Sequence, residues 1–356
     1  MGGRAKRVTL RSVAQEAGVS LSTASLVFSG AGAVSEATAA RVRAAATTVG
    51  YRGPDPVASS LRRGRSGVVA VVVEDRLLTV FRDPYAVSRL DGLASVFDEI
   101  PASMLLVSQP DGNQGAAATR LASSAFDAAV FFGCGPDAGP VLDTLRAKGV
   151  PLVAMDTPVV DDVVRVGIDE RPAAAAAAAH LAELGHTRIA QVVLPCDEPA
   201  GRVRPAHDYR AERFSTPRDR MHGVADVLGD AVPTVAATAS DVDAGRVAGA
   251  ALLAVADPPT AIVAQSDMLA LGVVLAAGER GLDVPRDLSV TGFDGITQSW
   301  WPGRLTTVEQ PGAEKGREAA HLVRALLAGE AAHDVTLPTR LRVGDSTAPP
   351  RSPAPG

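Results

Sequence analysis

Apolar positions in the first fifty residues fall into three short runs at helical spacing. Val13 and Ala17 stand four apart within 10–17. Ala24, Val27 and Phe28 share a face within 21–29, and Val42, Ala45, Ala46 and Val49 form a stripe beyond Ser35. Spacings of three and four put each set on one side of a helix. Thr9 and Ser20 suit the N-caps of the first two helices, and Ser35-Glu36 opens the third. Gly18 supplies the tight turn, Val19 plugs the gap between the helices, and Gly30 ends the second. Helices this short do not persist singly, but packed together they make a minimal core. Helix, Gly-containing turn, helix is the geometry that lays a second helix in a DNA major groove. On spacing alone, an ordinary three-helix cap is an equal reading.

The next stretch, "GYRGPDPVASSLRRGRS", carries a conditional helix. Asp55 fits its N-cap, Pro56 its first turn and Gly64 its stop. Such a helix is too short to stand alone in water, and it exposes Val57 and Leu61 at i and i+4. The same helix of a second subunit is a fitting partner, with Arg62, Arg63 and Arg65 then facing phosphates.

After Ser66 the period changes. "GVVAVVVED", "ASMLLVSQ", "DAAVFFG" and "VPLVAMD" read as buried parallel strands, with helical patterns near 84–99, 114–124 and 138–148. A second series follows with "RIAQVVL", "TAIVAQS" and "LSVTGFD". Two successive βα series predict an α/β body of two doubly wound parallel sheets, with ligands bound outside the strand C-termini. The cleft between the two subdomains is the natural small-molecule site. Asp75, Asp156, Ser266 and Asp294 close strands and are its candidates; each taken singly also reads as a strand-end cap. Residues from Cys196 to Asp219 read as a long polar loop beside the cleft. Trp300 and Trp301 supply either a stacking face or packing for a crossover.

Charge changes the picture of the head. Residues 1–66 hold ten Lys/Arg against three Asp/Glu, a net of +7, and the remainder holds 25 against 37, a net of −12. A basic head on an acidic body points to a polyanionic partner. The 46% hydrophobic, 4% aromatic composition suits an α/β protein. No run of 18 uncharged apolar residues occurs, and Arg4, Lys6 and Arg7 lead into an amphipathic pattern, so neither a membrane span nor a signal peptide is expected. Cys134 and Cys196 lack metal-ligand spacing and read as thiols of a reducing cytoplasm.

"VTLRSVAQEAGVSLSTAS", "VSEATAARV", "GYR" and "VASSLRRGRS", followed by "LAELGHTRIA", "SDMLALG", "DLSVTGFDG" and "LTTVEQP", resemble the LacI/GalR family of repressors over about 8–345. The resemblance implies a helix-turn-helix head at 1–53, a hinge helix at 54–66 and a periplasmic-binding-protein-like core at 67–345. Within the core it implies an N-subdomain at about 67–168 plus 309–330 and a C-subdomain at about 169–308 plus 331–345. The end, 346–356, is expected to be a disordered tail, without the leucine heptads of a tetramer. Implied DNA contacts are Leu21 and Ser22 on base edges, Thr9, Leu10, Ser20, Thr23, Ser25, Ser35, Thr38 and Tyr51 around them, and Ala58, Leu61 and Arg62 in the hinge. Leu61 matches a minor-groove wedge, which costs a few kcal/mol of unstacking that new contacts offset.

Two departures bear on the operator. Leu26 stands where many relatives carry an Arg able to read guanine, a contact worth roughly 1–3 kcal/mol of discrimination. The hinge approach "RGPDP" is one residue longer than the common pattern. In the cleft, Arg220 of "RMHGV" and Tyr85 of "RDPYAV" match effector-contacting positions, alongside Asp156 and Asp294. Ser240 and Ser266 replace a frequent aromatic and a frequent Asn. The implied whole is a cytoplasmic, homodimeric regulator of palindromic operator DNA, probing a sugar or related polyhydroxy effector and most simply a repressor of carbohydrate uptake or catabolism. A degenerate or corepressor site, and a periplasmic-type solute-binding protein, are the alternatives.

No enzyme chemistry competes. "FFGCGPDAGP" lacks the full dinucleotide fingerprint, no Gly-rich Lys-Ser/Thr loop occurs, and the six histidines are scattered. No cofactor, metal or membrane partner is expected, and the Ala173–Ala179 run reads as helix.

Overall fold

The structure is a computed structural model, and it describes residues 8–29, 34–53, 64–100, 102–109, 114–132, 139–157, 163–196, 200–209, 214–297 and 301–351. The hinge positions Asp55, Pro56, Val57, Ala58, Leu61, Arg62 and Arg63 lie outside these residues, as do Gly30, Cys134 and Trp300. The chain divides into two compact units, 1–66 and 67–356.

In the first unit, α1 (Leu10–Glu16), α2 (Leu21–Ser29) and α3 (Glu36–Val49) form as the spacing predicts. The Ser20 hydroxyl accepts from the Thr23 N–H at 3.0 Å and that of Ser35 from the Thr38 N–H at 3.3 Å, satisfying donors left open at each helix start. Gly18 and Gly50 turn the chain at φ 63° and 72°, in the left-handed region that favours glycine. Val13, Ala14, Ala17, Ala24, Val42, Ala45 and Ala46 are buried together. Tyr51 closes this core with an edge-on contact to Phe28, ring centroids 5.3 Å apart. Arg41 ties α3 to the end of α1 by donating from Nε to the Ala17 carbonyl at 3.1 Å.

The second unit holds two sheets. Strands β1 (Val68–Val73), β2 (Ser103–Ser108), β3 (Ala128–Phe132), β4 (Leu152–Met155), β5 (Val164–Ile168) and β12 (Val335–Leu337) form the first, in the order β12-β5-β4-β3-β1-β2 and parallel throughout. Alternation along β1 explains how both faces are covered. Val69, Val71 and Val73 pack on the side of α5 (Pro84–Phe97) and α12 (Gly312–Leu327). Ala70 and Val72 pack on the side of α6 (Gln114–Ser123) and α7 (Gly139–Lys148). A four-residue helix, α4 (Leu77–Val80), follows β1.

The second sheet runs β13-β11-β10-β9-β6-β8-β7. Its strands are β6 (Ile189–Val193), β7 (Arg204–Pro205), β8 (Pro233–Ala236), β9 (Ala261–Ala264), β10 (Ser289–Asp294), β11 (Thr306–Glu309) and β13 (Arg340–Arg342), antiparallel only at the two edges. Helices α10 (Val242–Leu252) and α11 (Asp267–Glu279) cover one face, and α8 (Glu170–Glu183) and α9 (Ser215–Leu228) the other. The alanine run lies in α8, where small side chains allow α9 so close that a Cβ on Gly223 would sit 2.0 Å from the Arg171 carbonyl oxygen.

Three expectations need correction. Residues 331–345 do not stay in one subdomain: β12 joins the first sheet beside β5 and β13 joins the second beside β11. The stretch 196–219 is not one loop, because residues 206–209 form a 3-10 turn with Tyr209 buried, and α9 begins at Ser215. Residues 346–351 are ordered. The buried Ser346 hydroxyl donates to the Val290 carbonyl at 2.6 Å and accepts from the Thr306 N–H at 2.8 Å, and the Ala348 carbonyl lies 2.8 Å from His186 Nε2. The Pro-rich composition hides this, since hydrogen bonds to strand ends rather than apolar burial hold the segment.

Candidate functional sites

On the head, Ser20, Leu21, Ser22 and Leu26 face outward along α2 and its cap. Leu21 and Leu26 are 46% and 37% exposed, an unusual outlay of apolar surface for so small a core. Thr9 and Ser35 sit exposed at the starts of α1 and α3, while Thr23, Ser25 and Thr38 are half-buried. Leu10 and Tyr51 pack partly into the head core, so only part of each faces outward.

In the body, Asp75, Tyr85, Asp156, Arg220, Ser266 and Asp294 all line one cavity of about 190 Å³ between the sheets. Asp75 stands exposed at its rim just past β1, its carboxylate accepting from the Arg76 N–H. Ser266 follows β9 and caps α11, accepting from the Leu269 N–H at 3.1 Å, and Ser240 donates to its hydroxyl at 3.3 Å. Arg220, on the first turns of α9, donates from Nε to Glu170 at 2.7 Å and from Nη1 to the Gln265 carbonyl, with its guanidinium 3.6 Å from the Phe293 ring centroid. Burial opposes its charge, but Glu170 more than compensates and raises its pKa.

Asp156 is held from three sides. Lys315 Nζ and Arg89 Nη1 donate to it, the latter at 3.1 Å, and the Tyr85 hydroxyl lies 3.3 Å away. Burial would raise its pKa, yet Lys315 and then Arg89 outweigh burial and bring it below the usual carboxylate value. Gln310 joins this group to the opposite wall: its Oε1 accepts from Lys315 Nζ at 2.7 Å and Tyr85 at 2.8 Å, and its Nε2 donates to Asp294 at 2.6 Å. Asp294 is raised well above the usual value, by burial first and then by the neighbouring Asp267.

Lys315, Gln310, Glu170, Arg89 and Asp267 were not singled out from sequence. Lys315 carried a signal: it falls four residues before Ala319 and eight before Val323, on the buried face of α12. A lysine there needs an acidic partner. Gln310 lay within the quoted "VEQP" without a role. Trp301 packs against the second sheet's core instead of lining the cavity.

Residues 9–53 match the bacterial regulatory proteins of the lacI family, and residues 178–347 match a periplasmic binding protein-like domain. An HTH-type transcriptional regulator of Mycolicibacterium smegmatis is 34% identical over 332 residues, covering 89% of this chain and 90% of its own length. The chain belongs to the LacI family. It is therefore a DNA-binding transcriptional regulator. The structure of the transcriptional regulator CelR in complex with cellobiose shares 26% identity and superposes with a TM-score of 0.68, over 96% of this chain and all of CelR. The lac repressor dimer bound to operator and the anti-inducer ONPF superposes at 0.79, over 96% of this chain and all of its own, and at 24% identity it speaks for the fold. Among the described residues of this LacI-family regulator, no helix is long and apolar enough to cross a membrane.

Proposed function

We propose that this regulator is a homodimeric, ligand-responsive repressor of carbohydrate uptake or catabolism genes, acting in the cytoplasm. The observation that carries the reading is the paired wall of the cleft. Carboxyl groups at the ends of β4 and β10, an arginine and serine hydroxyls converge on one cavity from both subdomains. Such a set offers both donors and acceptors, as hydroxyl groups require. The CelR neighbour takes a sugar in its complex, in keeping with that chemistry.

On DNA, two heads read a palindrome. Leu21, Ser22 and the apolar Leu26 meet base edges, with thymine methyls as fitting partners for the leucines. Thr9, Leu10, Ser20, Thr23, Ser25, Ser35, Thr38 and Tyr51 hold the backbone. Ala58, Leu61 and Arg62 act at the central step. Ligand closes the cleft and withdraws the surface on which the marginal hinge helices form, so a differential of a few kcal/mol switches operator affinity.

The test is selection of bound sites from a randomised duplex pool at physiological salt. An enriched palindrome with a flexible central step, whose affinity a sugar changes at least about tenfold, is the expected result. Salt-sensitive binding without enrichment overturns it. Leu61→Ala binds the selected site weakly at unchanged sugar affinity, and equal operator binding by this variant removes the wedge role. A corepressor reading draws on the serines Ser240 and Ser266, which bond each other in the cleft, and on Glu170, which holds Arg220. It predicts tighter, not weaker, operator binding with ligand.

A further inference from the structure

Lys315 is fully buried and does not line the cleft, yet its Nζ donates to three residues that do: Asp156, Tyr85 at 2.9 Å and Gln310 at 2.7 Å. A lysine ammonium has three N–H donors, so these partners use all of them and none is left for an effector. Lys315 therefore acts on a bound molecule only through the groups it holds.

The helix packing is built to bring it there. Gly312 and Gly316 flank Lys315 in α12. A Cβ on Gly316 would collide with the Arg89 carbonyl oxygen, and one on Gly312 with Ser88 Oγ and the Tyr85 ring. A larger residue at either place holds α12 off α5, and with it Nζ from Tyr85 and Asp156. Stability does not account for the ammonium, because exchanging a buried ion pair for apolar side chains of similar volume is often neutral or stabilising.

What Lys315 does account for is the direction of the hydrogen bonds along the cleft floor. It donates to the Tyr85 oxygen, so the hydrogen of that hydroxyl turns to the acceptors Gln310 Oε1 at 2.8 Å and Asp156 at 3.3 Å. It donates to Gln310 Oε1, so Nε2 of the amide faces the opposite wall and donates to Asp294 at 2.6 Å. A flipped amide would set its N–H groups against the ammonium. Burial would raise the Asp156 pKa, and Lys315, then Arg89, outweigh it, with a smaller share from Arg220. These are the cations that face Asp156 from α12, α5 and α9.

We propose that Lys315 is the positioning residue of the effector site: it holds Asp156 as an acceptor, aims the Tyr85 hydroxyl and the Gln310 amide, and so sets on both walls which way an effector's hydroxyl groups must hydrogen-bond. This rests on the reading of the cleft as a carbohydrate site. Asp156 then takes hydrogen bonds from effector hydroxyls and gives none.

The test is infrared spectroscopy of the full chain from about pH 8 to about pH 5, above the usual carboxylate pKa. Lys315→Met keeps the length of the side chain and removes the ammonium. Its spectrum is expected to gain, over wild type, the carbonyl stretch of a protonated carboxyl. The gain vanishes when Asp156→Asn is added, which assigns the band to Asp156. Arg89→Gln removes the other close cation and leaves Lys315 in place; it shows no such band, and so decides the matter even where Lys315→Met folds poorly. In calorimetry with glucose, galactose, ribose, maltose and cellobiose, the sugar that wild type binds is held at least about tenfold more weakly by folded Lys315→Met. No new band in Lys315→Met, a band in Arg89→Gln, or a band with unchanged sugar affinity overturns Lys315 as the positioning residue. No binding of these sugars by wild type overturns the carbohydrate reading instead, and the infrared bands still decide what sets the floor.

Discussion

Two aspartates face each other across the cleft from matching places in the two subdomains, and they are chemical opposites. Asp156 follows β4 and Asp294 ends β10, each after a largely buried strand, and each with positive φ, 55° and 125°. Non-glycine residues in that region cost on the order of 1–3 kcal/mol and persist where their surroundings fix them. Behind Asp156 stand two cations, Lys315 and Arg89; around Asp294 stand the carboxyl of Asp267, the amide of Gln310 and Arg220, whose charge only partly offsets burial and Asp267. Asp156 is held below the usual carboxylate value by its cations, and Asp294 is raised well above it by burial and then by Asp267. The first only accepts hydrogen bonds, whereas a neutral carboxyl both accepts and donates. Hydroxyl groups use both kinds of partner, so a polyol effector of the proposed kind would meet an acceptor at Asp156 and, wherever Asp294 holds its proton, a donor on the opposite wall. The side chains packed behind a strand-end acid, more than the strand itself, decide which role it takes.

Removing the acid from the cationic wall is the most damaging break. Lys315 is fully buried, and Asp156→Ala leaves its ammonium with only the neutral partners Tyr85 and Gln310. Loss of one member of a buried pair costs about 3–5 kcal/mol, read as a lower midpoint in urea unfolding. A loss under about 1 kcal/mol would mean that water reaches Lys315 and that this wall is not dry.

The acidic wall is sharpened by pH. Burial, only partly offset by the hydroxyl of Thr307 and nearby backbone N–H groups, pushes Asp267 up to about 7. The folded state therefore holds a proton that the unfolded chain sheds near the usual 3.8, so this stabilisation is complete below that value and lost as pH rises through about 7. Asp156 runs the other way: its contribution is present above the usual value and lost as pH falls through its lowered pKa. Between pH 5 and 7 the acidic wall accounts for a fall in stability on the order of 1 kcal/mol per pH unit. His180 and His186, lowered by burial, oppose it below their usual value of 6.5, so the quantity to measure is the difference between wild type and Asp267→Asn. That variant loses the Asp267 share of the slope and keeps the share that burial gives Asp294; an unchanged slope would place the titration elsewhere.

How much of this was legible depends on the range of the interaction. The head helices, their caps and the turn at Gly18 are set by neighbours within four residues, and spacing alone locates them. Strand-end acids were legible because a hydrophobic run that stops at Asp156 or Asp294 marks the end of a parallel strand. The short edge strands β7, β12 and β13 were not, since two or three residues carry no period. Nor was Asp156's partner, because Lys315 lies 159 residues away and meets it only after α12 returns to the first sheet. The order of 346–351 escaped for a similar reason, as its partners Val290 and Thr306 are strand residues far back in the chain.

The smallest expected effect is the most discriminating. Asp294 accepts from Gln310 at 2.6 Å and, weakly, from the Asp267 N–H at 3.4 Å. In Asp294→Asn the amide oxygen still accepts from Gln310, and only the longer bond is forfeited, a cost of about 0.5–1 kcal/mol. Against this, ionised Asp267 opposes the ionisation of Asp294, and the change removes that opposition, which favours the variant. The two effects nearly cancel, so the urea midpoint at neutral pH stays within about 1 kcal/mol of wild type. Affinity for a bound sugar falls by less than about fivefold, because asparagine, like a neutral carboxyl, both donates and accepts. Asp156→Asn has no such equivalence, since an amide cannot balance Lys315 and Arg89. Equal losses of stability in the two asparagine variants would show that both aspartates are ionised, and the contrast between the walls would disappear.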